Sequence, residues 1–184
     1  MQAIAISPNY TTEEELWALS HDGYSYEVWD GELKCVSPMG AEHGALTFNL
    51  SAEVSLCIRR QHLGQCFAAQ TGFRISEDPL TIFAPDFAFV SRAKMPAEVP
   101  TKFLPVVPDL VLEVRSPGDR AGDVAEKVGR WLAAGTQIVW ELNPRTKKLT
   151  VFRPDGPALE LGEEGTLDAE PLLAGWKLEL SSIF

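Results

Sequence analysis

Three cysteines in 184 residues, Cys35, Cys57 and Cys66, are too few and too scattered for a disulfide framework. None forms a Cys-x-x-Cys pair, so a cysteine-based zinc site is excluded as well. Cations are also scarce: 16 Lys and Arg stand against 26 Asp and Glu, a net charge of −10. Such a balance argues against a surface built on clustered phosphate contacts. Long hydrophobic runs are missing too, and none approaches the roughly 20 residues needed to cross a bilayer. The first residues, Met1 to Ile6, lack the basic start of a secretory signal. Neither a glycine-rich phosphate loop nor a serine nucleophile elbow occurs, which leaves nucleotide cofactors and serine-type acyl transfer without support. The expectation is a cytoplasmic, non-membrane protein forming a single domain over residues 1–184.

What is present is patterned. The acidity is uneven: residues 109–153 carry a small positive excess, while both flanking segments are strongly negative. Within that middle segment runs Leu110-Val111-Leu112-Glu113-Val114-Arg115, the most apolar strand-like stretch of the chain. Side chains two apart in a strand share a face, so Leu110, Leu112 and Val114 point one way and Val111, Glu113 and Arg115 the other. Charges on an otherwise buried strand are costly without partners or a metal. The stretch Thr81 to Val90 reads as a second strand carrying a charge, Asp86, with Phe87 and Phe89 on the opposite face.

Around these strands the pattern predicts a mixed α/β (or α+β) architecture. Thr12 and Glu15 form a capping box for a short acidic helix over Glu13 to Leu19. Asp30-Gly31 between two β-rich runs marks a tight hairpin, closed by Ser37-Pro38-Met39-Gly40. Apolar residues at helical spacing predict a long helix from Ala41 to Leu63, stopped by Gly64 as C-cap. The proline-rich stretch 91–108 reads as a covering loop. A second helix, Val124 to Ala134, is expected with Asp123 as its cap and Gly135 as its stop, followed by strands and turns. Trp29, Trp131, Trp140 and Trp176 are assigned to the core.

Asp86, Glu113, Arg115 and Lys127 are the residues best suited to chemistry. Two carboxylates on neighbouring strands can hold a hard divalent cation and leave room for water and a phosphate. Lys127 borders the apolar stripe Val124, Val128 and Trp131, where its stem can be buried and its ammonium projected over the strand ends. Plainer readings stand beside this one. Pro85-Asp86 can be a turn, Glu113 and Arg115 a structural ion pair, Lys127 a surface lysine, Glu32 a solvated hairpin residue, and His43 a helix-start residue.

Taken in order, Asp30-Gly31-Glu32-Leu33, Ser37-Pro38, His43, Pro85-Asp86, Glu113-Val114-Arg115-Ser116-Pro117 and Asp123 through Lys127 resemble the Uma-two family of restriction-endonuclease-like proteins. That family lies within the PD-(D/E)XK nuclease superfamily, and the resemblance runs from about Tyr26 to Phe184. It implies a restriction-endonuclease-like core of mixed sheet and flanking helices, with an N-terminal hairpin and a long helix. It further implies Mg²⁺- or Mn²⁺-dependent hydrolysis of DNA phosphodiesters, with Asp86, Glu113 and Glu32 as metal ligands and His43 as a further candidate. One position departs from the pattern: Arg115 stands where the superfamily has lysine. An arginine cannot readily serve as a base, although it can bind phosphate. Lys127, arriving from the helix, would be a relocated lysine. Two functions follow, a metal-dependent endonuclease or a non-catalytic nuclease-fold module, in either case as a homodimer.

Overall fold

In the computed structural model, which describes residues 4–5, 11–19, 24–36 and 38–184, α1 (Glu13–Leu19) follows a completed capping box. The Thr12 amide donates to Glu15 at 2.8 Å, and the Glu15 amide donates back to the Thr12 hydroxyl at 3.2 Å. β2 (Ser25–Trp29) and β3 (Glu32–Val36) form the hairpin. Asp30 and Gly31 both take positive φ, 50° and 83°, as a two-residue turn of this hand requires. Ser37 and the N-terminal residues 1–3 lie outside the described residues.

The hairpin belongs to a five-stranded sheet in the order β1-β3-β2-β6-β5, with β1 (Ile4–Ala5), β5 (Phe73–Glu77) and β6 (Leu80–Phe83). A six-stranded sheet has the order β11-β10-β9-β8-β7-β4. Its strands are β4 (Gly64–Ala68), β7 (Phe87–Ser91), β8 (Leu110–Val114), β9 (Ile138–Asn143), β10 (Lys148–Phe152) and β11 (Leu159–Leu161). Of the strand pairs among the described residues, only β8 and β9 run parallel, because α3 (Ala121–Ala134) connects them as a crossover. Short strands β12 (Thr166–Asp168) and β13 (Lys177–Glu179) form a separate ribbon in the tail.

Helices cover both faces of the six-stranded sheet. On one, Leu46, Leu50, Val54 and Ile58 of α2 (Ala41–Arg60) pack on Phe87, Phe89, Leu110, Leu112 and Val114. On the other, Val128 and Trp131 of α3 pack on Ala88, Val90, Val111 and Val139, joined by Trp29, Phe73 and Phe83 from the five-stranded sheet. That double cover explains why every residue of β8 is buried. It also bears out the face assignments: Leu110, Leu112 and Val114 look toward α2, while Val111 and Glu113 look toward α3. Trp131 and Trp140 are fully buried, Trp29 nearly so, and Trp176 stacks on Trp140.

Three expectations need correction. The stretch Thr81–Val90 is not one strand: β6 ends at Phe83, and Pro85, which has no amide to donate, carries the chain from one sheet to the other before β7 begins at Phe87. The long helix ends at Arg60, and His62, with φ of 55°, makes the left-handed turn assigned to Gly64. Gly64 already lies in β4, where a Cβ would sit 2.1 Å from the Val90 carbonyl oxygen, so its role is close backbone approach. The second helix begins at Ala121, one turn earlier than expected, with Arg120 at the cap and Asp123 inside the first turn. Its stop is as expected, Gly135 at φ 110°.

Candidate functional site

Glu113 faces α3 from the middle of the molecule and is buried away from bulk solvent. Its carboxylate instead accepts from Lys127 Nζ, at 3.0 Å on one oxygen and 2.9 Å on the other, and from Trp131 Nε1 at 2.9 Å. Lys127 and Trp131 are one helical turn apart on α3, so a single face of the helix delivers both donors. The lysine ammonium lies over the Phe83 ring, 5.8 Å from its centroid. The same ammonium is shared with a second buried carboxylate, Glu27 of β2, at 2.8 Å. Glu27 is itself fixed by the Ala84 amide at 2.9 Å and by Trp29 Nε1 at 3.0 Å. All three charged groups are at least nine-tenths buried.

The electrostatics follow from that burial. Removal from water pushes the Glu113 pKa up, Lys127 opposes the shift, and the charges of Asp86 and Glu27 add to it, giving about 7. Burial alone would lower the Lys127 pKa, but two flanking carboxylates outweigh it and hold the ammonium protonated well above its ordinary range. Lys127 is therefore a hydrogen-bond donor and positive charge in this arrangement, not a base.

Asp86 lies close enough for its charge to be felt at Glu113, yet its hydrogen bonds point elsewhere. Its Oδ2 accepts from the Val114 amide at 2.7 Å and lies 3.3 Å from His43 Nε2. Because a carbonyl oxygen only accepts, His43 Nε2 is the donor in its 2.8 Å contact with the Val114 carbonyl. Burial works against the imidazolium, but the Asp86 carboxylate and the Val114 carbonyl prevail and raise the His43 pKa. His43 thus supports Asp86 from the first turn of α2.

Two cavities meet at this point. The larger, about 300 Å³, has Glu113, Lys127 and Glu27 in its wall and Glu32, Lys34 and Arg120 around it. The smaller, about 190 Å³, is lined by His43, Glu42, Ser116, Asn143 and Arg145. Arg115 and Asp119 border both. Arg115 does not pair with Glu113. Its Nε meets Glu141, the β9 residue in parallel register with Glu113. Glu32 is exposed, whereas Asp86 is buried and lines neither cavity.

The structure therefore brings together Glu113 and Lys127, sets Asp86 and His43 immediately behind them, leaves Glu32 at the rim, and turns Arg115 toward β9. Sequence reasoning missed Glu27 and Glu141. Both obey the rule that singled out Glu113: Glu27 alternates with Trp29, and Glu141 with Val139, on inward faces. Among the described residues no group of three or more His, Cys, Asp and Glu is arranged to hold a metal. Asp86 and Glu113 are hard oxygen donors of the kind Mg²⁺ takes, one or two at a time with water for the rest, while the Asp86 carboxylate is turned to the Val114 amide and His43.

The chain matches, over residues 13–181, the model of the family Uma2, described as "Putative restriction endonuclease". No match is found among curated proteins. A crystal structure from Anabaena variabilis ATCC 29413, described as "a putative nuclease belonging to DUF820", superposes with a TM-score of 0.83. It is 17% identical in sequence, and the match covers 95% of this chain and 97% of that one. The shared fold is thus a mixed sheet with flanking helices, and no helix among the described residues is long and apolar enough to cross a membrane. Matched over nearly its whole length, the chain belongs to the Uma2 family.

Proposed function

We propose that this protein is a metal-dependent endonuclease that hydrolyses DNA phosphodiester bonds in the cleft above Glu113. The observation that carries the reading is the Glu27–Lys127–Glu113 cluster. A lysine ammonium locked between two buried carboxylates, in the wall of an open cavity, is an expensive arrangement for a purely structural purpose. Its position is also the one the family resemblance assigns to catalysis. Asp86 and Glu113 would hold Mg²⁺ or Mn²⁺, with Glu32 at the rim. When bound, the cation supplies Lewis-acid neutralisation of charge on the phosphoryl oxygens.

The chain's own groups do the remainder. Glu27 and Trp131 hold Lys127 and Glu113 in fixed orientation, so that little reorganisation accompanies charge development on the phosphate. Lys127 stays protonated and places a positive charge beside the scissile group. Arg115, partly exposed between the two cavities, offers guanidinium donors to a phosphate oxygen as an alternative partner to Glu141. His43 keeps Asp86 oriented through the shared Val114 peptide.

The test is cleavage of supercoiled plasmid and of labelled duplex oligonucleotides with Mg²⁺, Mn²⁺ or excess chelator. Wild type is expected to nick DNA only with metal, while Glu113→Gln and Lys127→Met, checked for native circular dichroism, are expected to lose at least a hundredfold. Calorimetry should show metal binding that Asp86→Asn and Glu113→Gln abolish. Metal-independent or variant-insensitive cleavage would refute the assignment. A second reading, a DNA-binding or assembly module without catalysis, is favoured by one specific feature: Lys127 already neutralises Glu113, which a cation would otherwise do. Binding of DNA with neither metal uptake nor cleavage would select it.

A further inference from the structure

α2 buries one face against the six-stranded sheet, and its opposite face is not the polar surface expected of an outer helix. Phe48 is 71% exposed and Leu56 45% exposed, and Ala41, Ala45 and Ala52 are exposed with them. At about 100° per residue these five fall within one narrow stripe along the helix. A side chain added at Gly44, beside the stripe, would touch nothing. Single exposed apolar residues are ordinary, but a stripe of them running most of a 20-residue helix is a contact surface.

The flank of the stripe says what covers it. Glu42 and Arg60 are eighteen positions apart, about five full turns, and so project from the same side of α2. Both are exposed, and neither has an ion-pair partner among the described residues. Two copies of α2 laid antiparallel about a twofold axis centred near Ser51 set Glu42 of each against Arg60 of the other. In that register Leu56 falls near the level of the partner's Ala45, and Phe48 falls between the partner's Ala52 and the partner's Leu56. A surface complementary to itself reversed is what an isologous contact requires. We infer that the outer face of α2 is an interface on which a second copy of this chain docks, with its own α2 antiparallel.

The consequence reaches the cavities. Glu42 lines the smaller one beside Arg145 and Arg115. In the dimer, Arg60 of the partner subunit therefore stands at its mouth, adding a cation where an acidic monomer has few. This inference is independent of the nuclease reading, because it rests on α2 alone.

Sedimentation velocity and equilibrium over a range of loading concentrations test it. The wild type is expected to approach twice the 20.2 kDa chain mass. Phe48→Glu and, separately, Leu56→Lys should each weaken association roughly tenfold or more with unchanged circular dichroism, since both positions are exposed in the protomer. Glu42→Arg should weaken it too, and Glu42→Arg combined with Arg60→Glu should restore it. A wild type that sediments as a monomer at every concentration overturns the inference, as does a dimer indifferent to Phe48→Glu and Leu56→Lys. Failure of the paired charge reversal to restore association overturns the antiparallel register.

Discussion

Replacing Lys127 by methionine keeps the length and most of the apolar stem while deleting the ammonium. The lost contacts are those at 2.8 Å to Glu27 and at 2.9 and 3.0 Å to Glu113, all in the buried interior. Breaking a buried pair from one side typically costs about 3–5 kcal/mol, because the remaining charge is left uncompensated. Here two carboxylates are orphaned, which argues for the upper end. Each nevertheless keeps neutral donors, the Ala84 amide and Trp29 for Glu27, and Trp131 for Glu113, which argues for the lower. A loss of about 3 kcal/mol at pH 8 is expected, or about 6–12 °C in Tm for a chain of this size.

The pH dependence makes the reasoning refutable. Glu113 already has a folded-state pKa raised to about 7, and removing the opposing cation raises it further. A carboxylate whose folded pKa exceeds its unfolded value is least costly below the unfolded value of about 4.5, and the cost grows as pH rises toward and through the folded value. The deficit of Lys127→Met relative to wild type should therefore shrink between pH 8 and pH 6. Calorimetric or circular-dichroism melts at the two pH values read it directly. A variant as stable as wild type at pH 8, or a deficit independent of pH, would show that the cluster is not a buried charge network. Adding Glu113→Gln to Lys127→Met should recover part of the loss, since one orphaned charge disappears.

Other perturbations test the surroundings of the site. Asp109 is buried and accepts from the Ser91 amide at 2.7 Å, Gln137 Nε2 at 2.7 Å and Lys94 Nζ at 2.9 Å. Burial opposes ionisation there, but the Ser91 and Lys94 donors prevail and lower its pKa. Asp109→Asn should cost about 2–3 kcal/mol in urea unfolding at neutral pH. The difference from wild type should be present above the unfolded value of about 3.9 and fade as pH falls below it. His43→Gln should show the opposite trend. A raised histidine pKa contributes stability fully below the unfolded value of about 6.5 and loses it as pH rises through the folded value, so the gap to wild type should narrow from pH 6 to pH 9. Gly64→Ala forces a methyl to 2.1 Å from the Val90 carbonyl oxygen and should destabilise by about 2 kcal/mol, whereas Gly122→Ala, in open space on α3, should not destabilise.

How much of this was legible in the sequence depends on which residues carried a local signal. The capping box at Thr12, the Asp30-Gly31 turn and the Gly135 stop are each set by residues within one turn of one another, and each is found where the pattern puts it. Burial of Glu113 and Lys127 was legible because their neighbours alternate or recur with a strict period. Asp86 was harder. Its strand partner was readable, but a proline-mediated passage between two sheets depends on which sheet each half joins, and nothing local encodes that. Arg115 illustrates the same limit: two positions from Glu113, it was the natural partner by proximity, yet β9 lies parallel to β8 and supplies Glu141 at the same level. Glu27 is the more instructive omission. Its alternation with Trp29 marked an inward-facing carboxylate as clearly as that of Glu113, but nothing local points to its counter-charge. What converts that glutamate into a partner for Lys127 is the packing of one sheet on the other through α3. A charge on the inward face of any strand is thus a prompt to look for its counter-charge on an element far away in sequence, here 100 residues from Glu27 to Lys127.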